Sequence, residues 1–295
     1  MELGPIGVGL RTDTLDAGAA AALARQVERQ GYAVAWLTDS LGRDPFVQAG
    51  WLLAHTERLI LATGIANIYL RSAVAVAGAQ LALAEQSGNR FLLGLGVSHA
   101  EMLEGLLDRS YRSPLAAMNA YLDALEKAPY VSVPPAEPPP VVLAALGPKM
   151  LALAARRTRG AFPVQVTPVY TERARRILGP DAWLCIKQYA VLDDDRERGF
   201  RAARARLVTS LSFENYRRNL RTLGFNDGDF SDGGSDRLIT ALMPIGDAEE
   251  IRARIEAHLA AGATHVCIEP IDPRNPRALD VAALEALAPA NEVPS

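Results

Sequence analysis

Residues 90–101, RFLLGLGVSHAE, run through apolar residues and spaced glycines, then stop on Ser98, His99 and Glu101. A histidine closing such a run offers a group that can give or take a proton near neutral pH. Other apolar runs end on polar residues in the same way. Asp39 follows AVAWL, Asn67 follows LILATGIA, Gly147 and Lys149 follow PVVLAA, Thr167 follows AFPVQV, and Glu269 closes THVCIE. In LATGIANIYLRS, Gly64 stands inside a strand-like run, where glycine marks a bulge or a close backbone approach to a ligand. In AALGPKM, Gly147 and Pro148 turn the chain into a helix through Lys149 and Met150. There, free N–H groups can hold a phosphate, and a plain helix start is the alternative reading. Cys185 and Cys267 lie far apart in apolar runs, so neither a metal nor a disulfide framework is expected.

These residues need a scaffold that brings strand ends together. Apolar runs recur at residues 6–10, 33–37, 59–66, 91–97, 140–145, 161–166, 183–192 and 264–269. Helical patterns separate them. Asp16 is placed to cap a helix that reaches Gln30 and stops at Gly31, Ser113 and Pro114 read as N-cap and first helical residue, and Asp247 with Glu250 reads as a capping box before a helix closed by Gly262. Alternating strands and helices predict parallel strands with crossover helices, and near-continuous apolar strands predict cover on both faces. Eight such units predict an α/β fold, a (β/α)8 barrel with insertions, as one domain over 1–295. Its reacting groups belong at the C-terminal ends of the strands, where the polar residues above would converge. PPAEPPP, residues 134–140, is a stiff spacer into the fifth strand. LGFNDGDFSDGGSD, residues 223–236, is a long polar stretch that predicts a lid or a disordered insertion.

Composition narrows the partners. The chain has 295 residues, 49% hydrophobic and 22% charged, with a net charge of −3, which suits a globular protein and leaves no basic excess for nucleic acid or an anionic membrane. A small molecule is the expected partner. The start, MELGPIGVGLRTD, lacks the basic and apolar regions of a signal peptide. The apolar stretch at 73–84 falls short of the roughly 18 residues of a membrane helix, so a cytoplasmic protein is expected.

WLTDSLGRDPF, ATGIAN, LGLGVSHAEMLEG and GPKMLALAARR, in this order and spacing, resemble the bacterial luciferase-like family of barrel flavoenzymes. The likeness is greatest to the branch that uses the deazaflavin coenzyme F420, and it runs from about Gly7 to Ala288. The resemblance implies a (β/α)8 barrel, usually a homodimer, with a flavin or deazaflavin at the C-terminal mouth. Carried over by position, the family's non-proline cis peptide falls at Gly64-Ile65 and forms, with Ala66, a bulge against the ring. Asn67 falls beside the ring, and Asp39 matches an acidic residue at the ring end. His99 matches the position where a relative acting on sugar phosphates places its catalytic carboxylate. Gly147, Pro148, Lys149 and Met150 match the loop that receives the cofactor phosphate, with Ser98 and Thr167 on adjoining loops.

Two positions depart from the family pattern. Ser40 stands where some deazaflavin dehydrogenases carry a catalytic histidine, and Leu70-Arg71-Ser72-Ala73 replaces the usual turn after strand three. The implied activity is hydride transfer between F420 and a small organic substrate, with His99 as proton carrier and Asp39 orienting the ring or a water. FMN-dependent monooxygenation is the alternative, and a cofactor-binding protein without catalysis is a third reading. The helices FVQAGWLLAHT and AVAVAGAQLALAEQ, apolar and small on more than one face, suit a symmetric dimer.

Overall fold

Short apolar runs with β-branched residues become strands, and each is followed by a helix that covers it. The computed structural model describes residues 1–39, 42–106, 111 and 113–289. Its barrel strands are β1 (Ile6–Leu10), β2 (Val34–Leu37), β3 (Ile60–Thr63), β4 (Phe91–Gly96), β5 (Val141–Leu143), β6 (Gly160–Ala161), β7 (Trp183–Leu192) and β8 (His265–Asp272). Each pairs in parallel with the next, and β8 returns to β1 with Val266 opposite Ile6, so the sheet closes into the expected (β/α)8 barrel.

Several helix boundaries agree with the cap chemistry. Asp16 accepts from the Ala19 N–H at 2.8 Å ahead of the helix Ala17–Arg29, and Gly31 follows at φ +86°. Asp247 and Glu250 form a reciprocal capping box before Ala248–Ala260. Ser113 differs from expectation. Pro114 begins the helix Pro114–Glu126, but Ser113 sits at φ +47° and its hydroxyl makes no cap, because capping requires extended backbone at that residue. Ser72 caps the helix Ala73–Gln86 through the Ala75 N–H, so the departure at residues 70–73 leaves an ordinary helix start.

Three further differences bear on function. The run at 59–66 is broken: β3 ends at Thr63, and Ala66–Asn67 pairs separately with β4. β6 is two residues long, because Pro163 lacks a ladder donor and Gln165 turns to φ +56°, leaving one bridge from Val164 to Lys187. Residues 223–236 are not an open loop. Asn226 and Asp229 cap each other at the start of the 3-10 segment Asp227–Gly233, and Phe225 and Phe230 bury against Leu207, Leu220 and Leu238. This segment belongs to a helical insertion between β7 and β8 with its own apolar cluster.

Inside the barrel, Trp36 stacks on Phe162 with centroids 4.0 Å apart, surrounded by Val34, Leu92, Val142, Cys185 and Cys267. The larger core lies between the sheet and the outer helices. The Gln80 amide donates to Pro139 O at 3.1 Å and holds the polyproline spacer against the helix before β4. Among the described residues, no helix is long and apolar enough to cross a membrane.

Candidate active site

At the end of β3, Thr63 is fully buried and its Oγ1 both donates to Gly94 O and accepts from the Gly94 N–H, each at 2.8 Å. Gly64 N–H donates to Leu37 O at 2.7 Å, and the next peptide, Gly64-Ile65, is cis, as the resemblance implies. The chain bulges here, and the glycines of β4 make room for it. A Cβ on Gly94 would lie 2.0 Å from Thr63 O, and one on Gly96 would lie 2.4 Å from Ile65 Cδ1. The LGLG pattern beside His99 is therefore the negative imprint of the bulge. Gly64 itself packs on the barrel interior, where a Cβ would come 3.1 Å from Phe162.

Below the bulge, Asp39 does not present a free carboxylate. Its Oδ2 accepts from the Asn67 N–H at 3.0 Å and from Arg71 Nη1 at 2.6 Å, its Oδ1 accepts from Arg71 Nη2 at 3.3 Å, and its side chain is 2% exposed. Arg71 also binds Asp44, which caps the helix Pro45–Leu53 through the Phe46 N–H. Burial works against the Arg71 charge, yet the hydrogen bonds it donates to Asp39 and Asp44 outweigh it and raise its pKa. Asn67 Oδ1 accepts from the Tyr69 N–H at 3.0 Å. Asp39 thus fixes Asn67 and the loop after the bulge. Both Asp39 oxygens are engaged by Arg71 and the Asn67 N–H, an arrangement that gives the carboxylate a positioning role in this loop. Ser40 lies outside the described residues.

His99 follows β4 at the same end of the barrel. Ser98 turns the chain at φ +59°, and its hydroxyl faces Met102 Sδ at 3.5 Å. The His99 ring stacks on Phe213 with centroids 4.3 Å apart, lies 5.1 Å from the Tyr216 ring, and contacts Asn215 Oδ1 through Nδ1 at 3.0 Å. All three partners come from the insertion. Glu101 adds a bond from the Glu214 N–H at 3.2 Å. Burial lowers the His99 pKa, against opposing contributions from Asn215 and Glu101, so the ring is held neutral.

Glu269 lies within β8 rather than after it, because the strand continues to Asp272. Its side chain is 1% exposed and meets Lys187 Nζ at 2.7 Å, Arg11 at 3.4 Å and Arg206 at 3.4 Å. Burial opposes ionisation of both Lys187 and Glu269, and their mutual attraction reverses it, keeping the pair charged. Arg206 covers the Tyr189 ring at 4.3 Å and donates to its hydroxyl at 2.7 Å. Sequence reasoning missed Lys187, Arg206 and Arg11. Lys187 had a signal, a charged residue inside the buried strand WLCIKQYAVL.

On the opposite side, Gly147 precedes the helix Pro148–Arg157, and a Cβ there would meet nothing within 4 Å. Gly147, Pro148 and Lys149 are exposed and Met150 is half-buried. Tyr170 OH donates to Ala145 O and Leu146 O at 3.0 and 2.8 Å, which sets this loop against the next helix. Thr167 is an N-cap: its Oγ1 accepts from the Tyr170 N–H at 3.3 Å. Next to it, Gln165 is 4% exposed and its Oε1 has no partner among the described residues. The loops after β3, β5 and β6 thus carry a bulged wall, an open helix N-terminus and an orphaned acceptor at one end of the barrel. This set fits a flat heterocycle with donor groups and an anionic tail.

Residues 3–265 match the family model described as luciferase-like monooxygenase. The chain is 26% identical to a putative coenzyme F420-dependent oxidoreductase of Mycobacterium tuberculosis, over 84% of this chain and 89% of the relative. It is 25% identical to the 5,10-methylenetetrahydromethanopterin reductase of Methanolobus tindarius, over 90% and 94%. Among solved structures, an F420-dependent secondary alcohol dehydrogenase in complex with an F420-acetone adduct superposes with a TM-score of 0.75 at 16% identity, covering 98% of this chain and 97% of that one. The last likeness is one of fold.

Proposed function

This chain belongs to the luciferase-like monooxygenase family, a family of enzymes, and from that membership we propose that it moves a hydride between coenzyme F420 and a small organic substrate. The observation that carries the cofactor part is the Gly64-Ile65 bulge, with Gly94 and Gly96 cut back to receive it. The name of the Mycobacterium tuberculosis relative, a putative coenzyme F420-dependent oxidoreductase, favours a deazaflavin over FMN. When bound, the deazaflavin supplies the two-electron redox step. The bulge and Asn67 would line its ring, Gln165 Oε1 would accept from a ring N–H, and Gly147 to Met150 would take the phosphate of the tail. Asp39, tied to Arg71 and the Asn67 backbone, holds this wall in register. His99 carries the proton: Asn215 Oδ1 accepts from Nδ1–H, which leaves Nε2 as the basic atom. The insertion that stacks Phe213 on His99 excludes water on that side.

Fluorescence titration of the purified protein with F420 and, separately, with FMN tests the cofactor. F420 is expected to bind tighter. FMN binding tenfold tighter would overturn the reading and turn attention to oxygen consumption with reduced FMN.

A further inference from the structure

A partly open cavity of about 80 Å³ lies between the ends of β1 and β2 and the insertion, beside Glu269. Its polar lining includes Arg11, Asp13, Arg43, Gln48, Arg206 and Glu269, and Lys187 stands behind Glu269. Two donors on this lining are buried and lack an acceptor among the described residues: Gln48 Nε2 and Arg206 Nε. Gln48 is 6% exposed, and Arg43 Nη1 donates to its Oε1 at 3.4 Å. Arginine has no acceptor, so this contact fixes which way the amide points and leaves Nε2 as the orphan. Arg206 spends Nη2 on Tyr189 and Glu269, and Nε remains.

The charge has the same sense. Arg11, Arg43 and Arg206 share the lining with two carboxylates, Asp13 and Glu269, and Lys187 pairs with Glu269 from behind, so positive charge is in excess. From the cavity, the two orphaned donors and this excess, we infer that the substrate presents a carboxylate to this cavity, its oxygens taken up by the side chains of Gln48 and Arg206. The inference rests on the reading that the mouth takes an organic substrate. It narrows that substrate to carboxylates with an anionic end small enough for about 80 Å³. Neutral alcohols and amides would leave the cationic walls without a counter-charge.

The test needs neither coenzyme nor turnover. Trifluoroacetate is titrated into the wild-type protein and followed by 19F NMR, with trifluoroethanol as neutral probe and trifluoromethanesulfonate as tetrahedral anion. Saturable trifluoroacetate binding is expected, weakened at least fivefold in Gln48→Leu and in Arg206→Met, with no saturable binding of trifluoroethanol. If Arg206→Met does not fold, Arg11→Met gives the same reading from a side chain that is 28% exposed. Absent or unsaturable trifluoroacetate binding, equal binding by the variants, equal binding of trifluoroethanol, or tighter binding of the sulfonate would each overturn it. F420 titration of the same samples separates the two readings: anion binding without F420 binding sinks the cofactor reading alone, and the reverse sinks this one alone.

Discussion

Asn215 Oδ1 can only accept, so the 3.0 Å contact places the His99 proton on Nδ1 and leaves Nε2 as the atom that would exchange protons in the proposed reaction. His99→Ala is expected to lower kcat at saturating F420 by about 100-fold or more, the usual share of general acid–base assistance, with little change in F420 affinity. His99→Asn should be as slow, and full turnover in that variant would remove the imidazole from the mechanism. Because burial lowers the His99 pKa, the basic form persists below the ordinary histidine value of about 6.5. The acidic limb of the kcat/KM profile, read in steady state with a confirmed substrate, should therefore fall below that pH. Asp39 gives a different outcome. Asp39→Asn breaks the pair with Arg71 in a buried setting and is expected to cost about 3 kcal/mol, seen as a lower urea midpoint. An unchanged midpoint would show that the carboxylate is not structural.

The interior of the barrel depends on a histidine that must stay neutral. Trp36 Nε1–H donates to His265 Nε2 at 3.1 Å, and His265 Nδ1–H donates to Gly4 O at 2.8 Å, so β2, β8 and the first residues are tied through one tautomer. Gly7 makes room for this ring, since a Cβ there would lie 2.6 Å from it. Burial lowers the His265 pKa to about 4 against 6.5 unfolded. His258, bonded to Thr171 and Gln188 between outer helices, drops to about 3. The unfolded chain binds the extra protons between these values, so stability is full above pH 6.5 and declines as the pH falls toward 4. His265 alone accounts for on the order of 3 kcal/mol over that window. Urea midpoints from pH 7 to pH 4.5 should show the decline, and His265→Gln should reduce it by roughly half, leaving the share of His258. A flat wild-type profile would contradict the assignment. At this scale the sequence was largely legible, because apolar strands and cap residues are local signals: Asp16, Asp247 and all eight strands follow from them. The early end of β6 and the split of residues 59–66 were not, since Pro163 lacks a ladder donor and the chain bulges after Thr63, while the apolar pattern continues past both.

Across the whole molecule, positions were legible and partners were not. Strand ends told that His99, Asp39 and Asn67 lie at one end of the barrel, but not that Arg71 would occupy Asp39 or that Phe213, more than a hundred residues away, would cover His99. Residues 223–236 read as loose because polar composition hides the burial of Phe225 and Phe230. Assembly is where composition and structure meet again. On the helix Pro45–Leu53, Val47 is 75% and Trp51 42% exposed, one turn apart on one face, and on the adjacent helix Ala73–Gln86, Val74 is 52% exposed and a Cβ on Gly78 would meet nothing. Apolar side chains beside a small-residue gap suit close approach of a second copy, and in a two-fold interface each residue is used twice. Val47→Glu with Val74→Glu would therefore set like charges against one another on both sides of the axis. Light scattering at micromolar concentration is expected to give two chains for the wild type and one for the double variant, with the F420 titration unchanged if the mouth is built within one chain. A wild-type monomer would leave this face without a partner copy, and loss of F420 binding in the monomeric variant would show that the second chain completes the site.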